Sequence, residues 1–214
     1  MSALDIAVDV AHRLDEYPDT RPEWVQNLPY ANDPDASYYR ALFHWASTLL
    51  PARVLEVGTD RGWSAAHISA GSPGAAITTV DMRPESVVAV RSMPLSNVLP
   101  LTMKSCDAYV HVSSRGPFDM LFIDANHTFN DAYGEYSMFR PLVVDGGLIL
   151  FDDVGLEMAG DEMGVFWDYV LDRKARLDHL HHTGFGICEV DHSVTIPPWR
   201  NVIEEATRRI LSHQ

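Results

Sequence analysis

Five near-continuous apolar runs constrain this chain more than any other feature: RVLEVG, AAITTVDM, NVLPLTM, FDMLFIDA and GGLILFDD. Each has strand length, and residues with helical spacing separate them. Strands that are apolar on both faces belong to a mainly parallel sheet with helices packed against both sides. Between the runs, WSAAHISAG reads as a helix ended by Gly71, Pro84–Arg91 as a short helix, and Asn130–Leu142 as a longer one. Upstream, Tyr39, Leu42, Phe43, Ala46, Leu49 and Leu50 recur at helical spacing until Pro51 stops them. Downstream, a helix over Asp161–Arg176 places Phe166, Trp167, Val170 and Leu171 on one face. LDHLHHT and FGICEV then read as two closing antiparallel strands with a tight turn at Gly184.

Three segments follow from this pattern. Residues 1–35 hold a short amphipathic helix and a loop rich in proline and aromatic residues, a candidate cap or substrate loop. Residues 36–192 hold the alternating strands and helices, and 193–214 a C-terminal loop and helix. The chain of 214 residues can bury a core without disulfides. Its net charge of −14 argues against nucleic acid or an anionic membrane as partner, since both need a basic footprint. Cys106 and Cys188 lack metal-ligand spacing and read as reduced thiols. With no signal-peptide pattern and no membrane-length apolar run, a cytoplasmic location is expected. Self-association is left open.

Polar residues sit where the apolar runs end: Glu56 and Gly58, Asp81, Asp107, Asp124, and the pair Asp152 and Asp153. In open parallel sheets ligands bind at that edge. The first turn, VLEVGTDRGWSA, sets Gly58 and Gly62 between strand and helix, where the backbone must approach a ligand closely. It departs from the dinucleotide fingerprint, because Asp60 stands at the middle glycine position and would repel a pyrophosphate. An NAD(P)-dependent oxidoreductase is therefore disfavoured. Asp81 ends the next strand, where an acid accepts hydrogen bonds from ribose hydroxyls. Asp107 is a candidate acceptor for an adenine amine.

VLEVGTDRGWSAAHIS, ITTVDM, SCDAY and FDMLFIDANHTFNDAYGEYSMFRPLVVDGGLILFDDV resemble successive motifs of class I S-adenosylmethionine-dependent methyltransferases. The Asp-x-x-His-Thr-Phe segment followed by Gly-Gly-Leu-Ile-x-x-Asp-Asp is similar to the group with cephalosporin-hydroxylase-like proteins and macrolide-sugar O-methyltransferases. It is more distantly similar to catechol and caffeoyl-CoA O-methyltransferases. The resemblance implies a Rossmann-like α/β fold: a seven-stranded, mostly parallel sheet with one antiparallel strand and helices on both faces. It also implies that Glu56, Gly58, Thr59 and Gly62 frame the methionine part of S-adenosyl-L-methionine. Ser64 would help hold the carboxylate, Asp81 and Met82 the ribose, and Cys106 and Asp107 the adenine, with Asp124 at the reacting end.

Asp124 closes the fourth run, and Asp152 and Asp153 close the fifth. Neighbouring strands lie about 4.8 Å apart, so their terminal carboxylates can converge on one cation. Oxygen ligands suit Mg²⁺, or Mn²⁺ or Ca²⁺, better than zinc. The resemblance places a divalent metal at the same three positions. Each aspartate alone also reads as a helix or turn cap. His127, three residues after Asp124, is the candidate general base, because imidazole titrates at about 6.5. The expected reaction is metal-assisted O-methylation of a small molecule, a sugar or a phenol. The alternative is a non-catalytic nucleoside-binding or assembly protein on the same fold. His179, His181 and His182 have no acidic neighbour in sequence apart from Asp178 and read as a solvated edge strand. Tyr17–Tyr30, Met158–Gly164 and Thr195–Trp199 are candidate pocket loops or plain surface.

Overall fold

The computed structural model describes residues 1–156 and 161–212. Part of Met158–Gly164, named above as a candidate pocket loop, lies outside them. The strands are β1 Arg53–Val57, β2 Ala76–Asp81, β3 Val98–Thr102, β4 Phe118–Ile123, β5 Val143–Asp152, β6 Arg173–Arg176 and β7 Phe185–Glu189. The helices are α1 Ala3–His12, α2 Glu23–Gln26, α3 Tyr38–Leu49, α4 Trp63–Gly71, α5 Pro84–Arg91, α6 Ser105–Val112, α7 Phe129–Phe139, α8 Met163–Asp168 and α9 Trp199–Ser212. One sheet of seven strands has the order β3-β2-β1-β4-β5-β7-β6. Pairing is parallel from β3 to β5, and β7 runs antiparallel to both β5 and β6. The mostly parallel sheet with one antiparallel strand is therefore as expected.

Alternation along each strand divides the core in two. On β4, Met120 and Phe122 face a layer containing Leu4, Trp45 and Ile68 of α1, α3 and α4. Leu121 and Ile123 face Tyr133, Phe166 and Ala206 of α7, α8 and α9. Tyr133, Tyr136 and Phe139 are fully buried, the apolar face that anchors α7. Their Phe129 neighbour stacks on Tyr133 at 5.6 Å between ring centroids.

Two expectations fail at the C-terminal side. The helix over Asp161–Arg176 stops at Asp168, and Leu171 is exposed rather than packed. The sixth strand is Arg173–Arg176, a polar edge segment without the apolar run that betrays buried strands. LDHLHHT is a turn: Leu177 and Leu180 are both buried, and the Leu180 amide donates to the Leu177 carbonyl at 2.9 Å. Burial at a spacing of three fits a turn and contradicts strand alternation. Gly184 does sit in the turn before β7, its amide donating to the His181 carbonyl at 2.9 Å.

Candidate active site

The C-terminal ends of β1, β2, β4 and β5 converge on one edge. Gly58 adopts φ +99°, and a Cβ there would stand 1.7 Å from the Asp124 carbonyl oxygen. Only glycine lets the loop after β1 press on the end of β4. The contact is stitched by Gly58 N to Val80 O and Asp124 N to Val57 O, both 2.9 Å. Gly62, at φ +76°, begins α4 with its Cβ position 2.7 Å from Val90. No side chain caps that helix, so its first amides are open to an anion.

Glu56 is fully buried and accepts from the Ser64 hydroxyl at 2.5 Å and from Thr79. Burial pushes its carboxyl up to about 7, with the two hydroxyls opposing the rise. The Ser64 hydroxyl hydrogen is thus engaged by Glu56, and Thr59 is buried against Thr79. Burial opposes ionisation of Asp81 too, but the Arg83 guanidinium and the amides of Arg83 and Asp60 override it and hold the carboxyl low. Arg83 also reaches Asp60 at 3.0 Å, tying the first two loops together.

Two cavities open here. The larger, about 720 Å³, is lined by Gly58, Asp81, Met82, Cys106, Asp124, Asn126 and Glu135 among others. The second, about 450 Å³, is lined by Tyr30, Asp33, Tyr38, Tyr39, Trp63, His127, His181 and others. Asp124, Ala125 and Arg83 belong to both. Asp107 is exposed on α6 and is not among the lining residues of the larger cavity.

The three aspartates named from sequence are brought together, but in two overlapping groups. Asp124, His127 and Asp153 place ligand atoms within 4.8 Å of one another, and so do Asp152, Asp153 and His181. Asp153 occupies a left-handed conformation, φ 63°, that turns its carboxylate back toward both groups. His127 Nε2 lies 3.0 Å from Asp153 and Nδ1 lies 3.2 Å from Asp161. Those bonds, Asp153 first, raise the imidazole to about 9 despite partial burial. Burial and the neighbouring Asp152 and Asp153 carboxylates push Asp124 well above its usual range, and burial raises Asp152.

His181 corrects the view that the late histidines lack acidic neighbours. Its Nδ1 lies 2.7 Å from Asp152 Oδ1, and Thr183 donates to Asp153. The ring packs on Tyr38 at 5.0 Å. The signal was a turn 29 residues beyond Asp152, which no local motif reveals. Asn126 organises the loop: its carbonyl accepts from the His127 amide at 3.1 Å and its amide donates to Asp131.

A parallel sheet reversed at its β5–β7 edge, with a nucleoside-sized cleft on its C-terminal ends, defines the class I methyltransferase fold. Residues 55–154 match the family model described as a methyltransferase domain. That match covers a little under half of the chain, from β1 to the end of β5. Three solved structures have the same fold. One, from Staphylococcus aureus and provisionally named a caffeoyl-CoA O-methyltransferase, has TM-score 0.63 and 14% identity over 87% of this chain and 99% of that one. The O-methyltransferase TomG from Streptomyces achromogenes, in complex with SAM, has TM-score 0.61 and 19% identity over 88% and 89%. An O-methyltransferase from Bacillus cereus, in complex with SAH, has TM-score 0.57 and 18% identity over 88% and 90%. No helix among the described residues is long and apolar enough to cross a membrane.

Proposed function

We propose that the protein moves the methyl group of S-adenosylmethionine to a hydroxyl oxygen of a small sugar or phenol. The observation that carries this reading is the wall shared by the two cavities, where Asp124 and Ala125 face both. Cofactor in the larger and acceptor in the smaller would meet there, as in-line transfer requires. The 17–35 segment fits its part as an acceptor cap, since Tyr30, Asp33 and Asp35 line the smaller cavity. The O-methyltransferases of like fold named above support the reading. The free thiols agree with a cytoplasmic setting, and the acidic surface with neither nucleic acid nor membrane as partner.

The residues also fit a divalent cation. Three carboxylates crowd together, and Asp124 and Asp152 stay raised out of their usual range even with the His127 and His181 imidazoles beside the cluster. Asp124, Asp152 and Asp153 would hold Mg²⁺, Mn²⁺ or Ca²⁺ through oxygen, and the adjacent imidazoles are compatible with Mn²⁺. A bound cation lowers the pKa of a coordinated hydroxyl. His127 faces the acceptor cavity and holds a proton against Asp153. It serves as base only where the Asp153 charge is engaged elsewhere, since that charge is what raises it.

Calorimetric titration with S-adenosylhomocysteine, with and without Mg²⁺, tests the reading. Micromolar binding is expected, and no binding in either condition overturns it. Full turnover by an Asp124→Ala and Asp152→Ala double variant would remove the cation and leave the methyltransferase. Undiminished turnover by His127→Ala would end its assignment as base.

A further inference from the structure

The residue sequence reasoning missed in the larger cavity is Glu135, in the middle of α7. It is 5% exposed, and its Oε2 has no hydrogen-bond partner. It lines the cavity beside Met103, Ser105 and Cys106, away from the acidic cluster. The other acids around this cavity are differently placed. Asp81 is engaged by Arg83 and the Asp60 amide, and Asp131 by Asn126 and Thr128. A buried carboxylate oxygen left without a donor is destabilising. Burial pushes the Glu135 carboxyl up to about 7, partly offset by the Ser105 side chain and increased by Asp131. Oε2 itself waits for a donor that none of the described residues supplies.

The chemistry of the cleft says which donor arrives. Asp81, at the end of β2, marks the ribose, and the shared wall at Asp124 marks the sulfonium end. The remaining part of the cavity, between the starts of α6 and the body of α7, is left for the base. Adenine presents one exocyclic amine there. We infer that Glu135, rather than Asp107, accepts a hydrogen bond from the adenine 6-amino group of S-adenosylmethionine through Oε2. Asp107 is exposed and does not line the cavity, so its carboxylate has water and needs no ligand. In either protonation state the Glu135 carboxyl keeps an acceptor oxygen, so the contact does not depend on its charge. This inference rests on the cofactor reading above.

Calorimetric titration of the full chain with S-adenosylhomocysteine, and with the analogue carrying hydrogen in place of the 6-amino group, tests it. The wild type is expected to prefer the amine by roughly 10- to 100-fold. Glu135→Gln keeps an acceptor oxygen and should keep most of that preference. Glu135→Leu should bind the two ligands within about threefold of each other, while holding the deamino analogue at least as tightly as the wild type does. That last value also certifies an intact cleft. Equal binding of both ligands by the wild type overturns the inference, and so does undiminished preference in Glu135→Leu. Failure of the wild type to bind S-adenosylhomocysteine at all removes the cofactor reading instead, and this inference with it.

Discussion

The two cavities share a wall but are built in opposite ways. The larger, proposed for the cofactor, comes from consecutive strand-turn-helix units, each contributing a residue or two where its strand ends. The smaller, proposed for the acceptor, is assembled from pieces far apart in the chain: Tyr30 and Asp33, the start of α3, Trp63, the end of β4, and the 181–182 turn. A local unit can be read from its own residues, because the turn chemistry and the ligand-facing groups lie within a few positions. An assembled surface depends on tertiary contacts that no short window contains. Substitutions on the first side should therefore threaten the fold and the cofactor together, and those on the second should change the acceptor alone.

The largest effect is expected at Gly58. Any Cβ there collides with the Asp124 carbonyl, and the positive φ disfavours every other L-residue. Gly58→Ala should destabilise the protein by roughly 4 kcal/mol or more, in the range of severe backbone and packing defects. It should also abolish S-adenosylhomocysteine binding, which calorimetry and urea unfolding measure together. A Gly58→Ala chain with near-normal stability would mean that the two loops are not pressed together as described.

Next comes a buried ion pair, Asp172 with Arg140, that lines neither cavity. Asp172 is buried and accepts two hydrogen bonds of 2.6 Å from Arg140 and one of 2.6 Å from Tyr136. Burial alone would raise its carboxyl, but Arg140 and Tyr136 hold it below the usual range. The sign follows: its stabilising contribution is complete above the unfolded value of about 3.9 and is lost as pH falls through the lower folded value. Asp172→Asn strands the Arg140 charge and should cost about 3 kcal/mol at neutral pH. The deficit should shrink in acid below about pH 4, where the wild type loses the same interaction. SAH affinity should not change in the folded variant, which separates the ion pair from either cavity.

How much was readable follows the same division. The five runs located β1 to β5, and the departures from a dinucleotide turn at Asp60 pointed away from phosphates. Asp124, Asp152 and Asp153 do converge, because β4 and β5 are adjacent in the sheet and the carboxylates stand at their C-terminal ends. What escaped was polar and edge-placed, or distant. Arg173–Arg176 forms a strand through its backbone pairing with β7, and its side chains carry no apolar signal. His181 reaches Asp152 from a turn whose position depends on two buried leucines. Glu135 left a faint trace: three residues after Ala132 it falls on the buried stripe of α7, where a carboxylate is costly without a partner.

The acidic cluster is where the comparison can be sharpened at moderate size. Asp124 sits above its usual carboxylate range, so ionised it opposes folding as pH rises beyond the unfolded value. Asp124→Asn should stabilise the chelator-treated protein by about 1 kcal/mol at pH 8, one pKa unit being about 1.4 kcal/mol. Mn²⁺ should raise the melting temperature of the wild type and much less that of the variant. A thermal scan with and without Mn²⁺ reads both. Equal shifts in the two proteins would place the cation elsewhere.

The smallest effect on the fold, and the one that tests the acceptor side alone, is expected at Tyr30. Its ring is 56% exposed and lies 5.5 Å from Trp63 across the mouth of the smaller cavity. Beneath it Arg21, 3% exposed, binds the Ala31 carbonyl at 2.6 Å and Asn32 at 2.8 Å, so the loop keeps its course without the ring. Tyr30→Ala should therefore change stability by less than about 0.5 kcal/mol, as exposed substitutions do. S-adenosylhomocysteine affinity should stay unchanged, because Tyr30 does not line the cofactor cavity. The KM for a sugar or phenol acceptor should rise several-fold, about 1 kcal/mol of lost ring contact, with kcat nearly constant. A loss in kcat at constant KM would instead place Tyr30 against the reacting atoms, and the division between an encoded cofactor side and an assembled acceptor side would have to be redrawn through the loop after α2.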